Sequence, residues 1–158
     1  MNLSKKGFTL IELLAVIVII AIIALIGIPS VTRIIDNSRK DAFKSTALAM
    51  ASAARNVIAS DNITVTETGC SIGWTQLNME SNVVSGGTVT AANSFVNATA
   101  DANGNITYVI NLEAVNGTTY TYIDGGTKEV LQSTAGRASV NSSDASITYV
   151  TEAKTPCS

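Results

Sequence analysis

Three residues near the N-terminus have the types and spacing to do chemistry. Gly7, Phe8 and Glu12 stand at the head of an apolar run that holds no charged residue from Leu13 to Ile28. A carboxylate at the centre of a bilayer costs about 2.5–3.5 kcal/mol on insertion scales, so such a group persists where it has a partner. Were the Gly7–Phe8 peptide bond cut, the new α-amino group of Phe8 would be a cation one helical turn from Glu12. It could pair within the chain or with Glu12 of a neighbouring chain. A charge that finds its partner in one arrangement and is buried alone in others acts as a register device. The plainer reading is that Glu12, a few residues from Lys6, sits at a membrane interface and snorkels. The residues by themselves leave both readings open.

The elements that must position these residues can be read in order. Residues 1–7, MNLSKKG, form a short basic leader. Lys5 and Lys6 place the N-terminus in the cytoplasm and the C-terminus outside. Phe8 to Ile28 is 21 residues with Glu12 as its ionisable member. At 1.5 Å per residue it spans about 30 Å, the thickness of a bilayer core. It does not read as an ordinary secretory signal, since no small-residue cleavage site beyond the run is evident. Gly27 and Pro29 then mark a helix break, because an interior proline removes a hydrogen bond and kinks or weakens a helix. Beyond them Val31, Ile34, Ile35, Ala42, Phe43, Ala47, Met50, Ala54, Val57 and Ile58 recur at spacings of three and four. Interleaved cations make this an amphipathic helix ending near Ser60, about 80 Å from Phe8.

From Asn62 the period changes to two. Ile63 and Val65 alternate with threonines. Ile106–Leu112 and Thr118–Ile123 flank Asn116-Gly117, the strongest hairpin signal in the chain. Asn103-Gly104-Asn105 reads as the turn before it, and Asp124-Gly125-Gly126 as the turn after it. Lys128–Gln132 and Ser146–Thr151 read as further strands. Residues 69–102 give no firm assignment. The expectation is an α+β fold: a long N-terminal helix packed on a three- or four-stranded antiparallel sheet. The segments are 1–7 leader, 8–30 transmembrane and assembly helix, 31–60 amphipathic half, and 61–158 head.

Charge and cysteines narrow the function classes. From Asp61 onward there are three basic residues against nine acidic ones. An acidic head is a poor nucleic-acid surface, because phosphate binding needs clustered Lys and Arg. Two cysteines, Cys70 and Cys157, suggest one disulfide in an exported domain. It would constrain the unfolded chain by roughly 4 kcal/mol on the entropic model. Two free, buried thiols are the alternative. No histidine, phosphate loop or nucleophile motif is present, so no enzyme, cofactor or metal is expected. Several Asn-x-Ser/Thr strings fit chance in so Asn/Thr-rich a chain.

The string KKGFTLIELL, followed by AVIVIIAIIALIGIPSV, resembles the N-terminal signature of type IV prepilins and pseudopilins. The family pattern is a basic leader ending in Gly, an aromatic, three residues, Glu, and an apolar helix. The resemblance covers about the first third of the chain and looks like the short-leader class. It implies cleavage after Gly7 by a prepilin peptidase that also N-methylates Phe8. It implies roles for Phe8, Thr9 and Glu12 in extraction and assembly, and matches Pro29 to the helix-breaking proline of many major pilins. It further implies a precursor in the cytoplasmic (inner) membrane and then an extracellular homopolymer. Its partners would be an assembly platform and minor pilins, with adhesion, twitching motility or biofilm formation as the outcome. A minor pilin acting as a binding module, or a secretion or competence pseudopilin, is the alternative. Related pilins often place two cysteines close together near the C-terminus, whereas Cys70 lies far upstream. That puts a carried-over disulfide-bounded surface loop in doubt.

Overall fold

The computed structural model of the chain describes residues 7–143 and 149–157. Helix α1 spans Leu10–Ser60. The chain divides into two compact units, Met1–Ser38 and Arg39–Ser158, so the boundary falls inside α1.

In the first unit the helix is apolar all round from Leu13 to Ile28. An 18-residue window reaches a mean hydropathy of 3.2, and none of it is buried. Every large apolar side chain from Phe8 to Ile35 is exposed, from 46% at Ile35 to 87% at Phe8. Leu, Ile and Val exposed on every side cannot be a water-facing surface, so this segment meets lipid or other protein. Gly27 and Pro29 both lie within α1, which is helical on either side of them.

In the second unit α1 is one layer of an α+β core. Phe43, Ala47, Met50, Ala54 and Ile58 are buried at spacings of three and four, and they form one stripe. They pack with Ile72, Val96, Ala98, Ile110, Leu112 and Ile123 in one hydrophobic core. The helix stops by a specific device. Asn62 adopts φ 51, and the Ile63 N–H donates back to the Ile58 carbonyl at 3.0 Å. This left-handed cap with a 6→1 bond satisfies the last carbonyls, and Ile63 packs on the core behind it. Ile63 and Val65 therefore serve as capping and core residues and form no strand.

Among the described residues the sheet has seven antiparallel strands, more than the three or four expected. They are β1 (Cys70–Gly73), β2 (Val83–Val84), β3 (Gly87–Val89), β4 (Phe95–Ala100), β5 (Ile106–Asn116), β6 (Thr119–Thr127) and β7 (Asn141–Ser143). The order runs β1-β4-β5-β3-β2, with β6 on the other side of β5 and β7 beyond it. Four of the seven come from the stretch 69–102. They are only two to six residues long, and a chain that short carries little periodicity. The β5–β6 hairpin pairs around Asn116-Gly117 as expected, with Asn116 opposite Thr119 and Gly117 at φ 62. The turn at Asn103-Gly104-Asn105 likewise joins β4 to β5, with Asp101 accepting from the Asn103 and Asn105 amides.

Three expected features are corrected. Asp124-Gly125-Gly126 is not a turn but a bulge inside β6. Ile110 pairs with Gly126 and Leu112 with Ile123, so two β6 residues oppose Asn111 alone. Gly125 takes φ 70, and its N–H donates to Asn111 Oδ1 at 2.8 Å. Lys128–Gln132 is the short helix α2, not a strand. Thr127 caps it by accepting from the Val130 N–H, Glu129 lies in its first turn, and Leu131 is fully buried. Lys, Glu, Leu and Gln are good helix formers, and that preference outweighs a run too short to show alternation. Of the expected strand Ser146–Thr151, residues 146–148 lie outside the described residues, and 149–151 form no strand.

Candidate functional site

The candidate site begins with the chain entering α1. Gly7, Phe8 and Thr9 precede the helix in non-helical backbone and are exposed. A Cβ placed at Gly7 would meet nothing within 4 Å. The local fold therefore gives no reason for glycine at this position.

Thr9 and Glu12 form a capping box that the sequence string T-L-I-E encodes. The Glu12 N–H donates to Thr9 Oγ1 at 3.3 Å. In return Glu12 Oε2 accepts from the Thr9 N–H at 2.8 Å and from the Thr9 hydroxyl at 2.7 Å. Reciprocal bonding of this kind satisfies two of the free donors at a helix N-terminus. A carboxylate there also complements the positive end of the helix dipole. Sequence reasoning singled out both residues but not their bond, although Thr followed three residues later by Glu is a readable signal. The box uses one carboxylate oxygen. Glu12 Oε1 has no partner among the described residues. The carboxylate is thus held at Thr9, the residue that follows Phe8.

Cys70 and Cys157 are joined by a disulfide across a sequence separation of 87. It fastens the end of an irregular C-terminal strap, residues 149–157, and sequence reasoning missed this element. Beside edge strand β1 the Ser71 N–H donates to the Thr155 carbonyl at 2.8 Å. The Cys157 N–H returns a bond to the Ser71 carbonyl at 3.0 Å. Further along, side chains of the sheet hold the strap. Asn97 donates to the Glu152 carbonyl (2.9 Å) and accepts from the Lys154 N–H (3.2 Å). Asn111 donates to the Thr151 carbonyl (3.0 Å). Asp124, aimed by the β6 bulge, accepts from the Val150 and Thr151 amides at 2.7 and 2.9 Å.

The Tyr149 hydroxyl donates to Glu113, whose other oxygen accepts from Asn93 at 3.0 Å. Asn97, Asn111 and Glu113 are thus buried, though their alternation with apolar residues reads as a solvent face. Buried polar groups of this kind are tolerated because each is hydrogen-bonded. Burial, together with Glu113, pushes the Tyr149 phenol well above its ordinary range. Burial pushes the Asp124 carboxyl upward, but its strap amides and Asn111 outweigh this and leave it below the usual value.

α1 is also tied to the head by an ion pair. Arg137 donates twice to Asp41, from Nε at 2.9 Å and from Nη2 at 2.5 Å. The Arg137 bond holds the Asp41 carboxyl below its ordinary range. Among the described residues no group of three or more His, Cys, Asp or Glu side chains is placed to hold a metal.

Residues 2–28 match the family model described as the prokaryotic N-terminal methylation motif. No curated protein and no solved structure gives a significant match to the chain. The motif match and the α+β architecture of one long helix on an antiparallel sheet support a type IV pilin-like prepilin.

Proposed function

We propose that this chain is a main-body subunit of a type IV pilus-like filament, released from its leader by cleavage between Gly7 and Phe8. The observation that carries the reading is the placement of Glu12. A carboxylate with one open oxygen stands at the head of an apolar helix that none of the described residues covers. Hydrolysis of the Gly7–Phe8 bond leaves the Gly7 carboxylate on the leader and a new amine on Phe8. Methylation of that amine by a methyl donor keeps its positive charge. The amine then meets Glu12 of an adjacent subunit, and mismatched registers leave both charges buried without a partner. Burial of the exposed helix faces against neighbouring helices supplies the cohesion, at about 25 cal/mol per Å² of apolar area. Gly27 and Pro29 are where the helix loosens as the subunit leaves the membrane. The precursor sits in the cytoplasmic membrane with its C-terminal head outside, and the polymer is extracellular. Such a filament serves adhesion, twitching motility or biofilm formation.

Mass spectrometry of material sheared from the cell surface tests this. An abundant chain beginning with methylated Phe8 is the expected result. A chain confined to the membrane fraction, even if cleaved, would instead assign it to a minor pilin or a pseudopilin. Retention of Met1–Gly7 would overturn the cleavage site itself.

A further inference from the structure

The second unit is acidic, and most of its cations are engaged. Lys44 and Arg137 pair with Asp41, and Lys154 donates to the Thr68 carbonyl. Arg55 and Lys128 differ. Neither makes a hydrogen bond or ion pair among the described residues, and both line the same polar cleft of about 730 Å³. The cleft lies between α1, the β4–β5 turn and the start of α2, and Asn56, Asn105 and Tyr108 also line it. Glu129 is the one carboxylate in it, so its formal charge is +1. Arg55 is near enough to Tyr108 to act on its phenol, which burial otherwise pushes upward.

We propose that this cleft receives an exposed carboxylate of a second copy of this chain. A guanidinium and an ammonium lining one cleft suit a carboxylate, which the Arg fork can bind through two parallel bonds. A polyanion such as nucleic acid suits it poorly. The surrounding surface carries an excess of negative charge and repels a long run of phosphates, while one carboxylate on a loop can still enter. The chain itself supplies the complement. Glu67, Glu80 and Glu152 are exposed and have no side-chain partner among the described residues. None of them lines the cleft. The cleft and the exposed glutamate that enters it are then two different sites of one chain meeting between copies. A contact of that kind is heterologous, and it generates an open helical polymer when its rotation does not close. The inference rests on the filament reading above and adds a head-to-head contact to the helix contact already proposed.

The test is zero-length carbodiimide crosslinking of the full-length chain, which joins a lysine amine to a carboxylate in contact. Filaments are grown from a mixture of light and heavy isotope-labelled chains, so that links between copies are recognisable. The expected product joins Lys128 to Glu67, Glu80 or Glu152 of another copy. Arg55→Glu with Lys128→Glu should lower the assembled fraction about three- to tenfold. Reversing the linked glutamate to Lys should restore it. Filaments without that crosslink would overturn the cleft contact and leave the filament reading intact. A crosslink between copies in membranes that never yield filaments would sink the filament reading and keep the contact. If the reversal leaves assembly untouched but abolishes retention on glucuronate-bearing beads, the cleft takes an external acidic sugar and the proposal fails.

Discussion

The two parts of α1 are made of similar residues and meet different fates. From Phe8 to Ile35 no large apolar side chain is buried, whereas Phe43, Ala47, Met50, Ala54 and Ile58 are all at 7% exposure or less. The difference lies in what each part can bury itself against. The C-terminal part leaves polar residues between its apolar ones, so one stripe suffices, and the sheet of its own chain covers it. The N-terminal part is apolar on all sides from Leu13 to Ile28, so one sheet face could not cover it, and none of the described residues does. One helix is thus covered by its own sheet at one end and left exposed at the other among the described residues.

That contrast can be broken at either end. The largest expected effect is at Glu12. Glu12→Ala should abolish filament assembly while leaving the thermal midpoint of the head unchanged, as scored by surface shearing and by circular dichroism in detergent. Normal filament yield would end the pairing argument. The next effect belongs to the head. Replacing Cys70 and Cys157 with Ala should destabilise it by about 4 kcal/mol on the chain-entropy account, read from denaturant midpoints. Met50→Ala should cost about 2–5 kcal/mol by leaving a cavity in a fully buried site. Ile20→Ala, a comparable truncation on the exposed part, should leave head stability within error. Similar losses from both would show that the two parts are not independent.

A smaller effect concerns acid. Asp124 has its folded-state pKa depressed from 3.8, so its contribution is present above that pH and is lost as pH falls through the lower folded value. The Val150 and Thr151 amides should therefore lose hydrogen-exchange protection in strong acid before the β4–β5 amides do. Asp124→Asn should reduce that protection already at neutral pH. Simultaneous loss across the sheet in acid would mean that the strap is not a separate unit. The smallest effect is at the exposed Asp41–Arg137 pair. Arg137→Ala should shift the midpoint slightly, and high salt should erase the difference.

The legible parts of the fold were those with long or chemically specific patterns. The end of α1, the β5–β6 hairpin and the turn before it all stood in the sequence, because a Schellman-type stop and Asn-Gly turns are local events. The short strands of 69–102 were not legible, and neither was α2. Five residues with Val130 and Leu131 adjacent fit neither period well, and the Thr127 cap decided the matter. The β6 bulge was read as a turn because Asp-Gly-Gly is turn chemistry. Pairing with β5 on both sides of Asn111 keeps it in the sheet.

At the candidate site the same split holds. The sequence by itself determined the membrane-length apolar run and the Gly7, Phe8 and Glu12 pattern that the methylation motif covers. These rest on composition and near-neighbour spacing, which a linear chain carries in full. Only the tertiary structure decided that Asn97, Asn111, Glu113 and Asp124 are buried clasps on a C-terminal strap. It also joined Cys70 to Cys157 and brought Arg55 and Lys128 to one cleft. Those pairings link residues tens of positions apart. A polar side chain on a strand has the same local signature whether water or another segment covers it, so only the folded chain distinguishes the two.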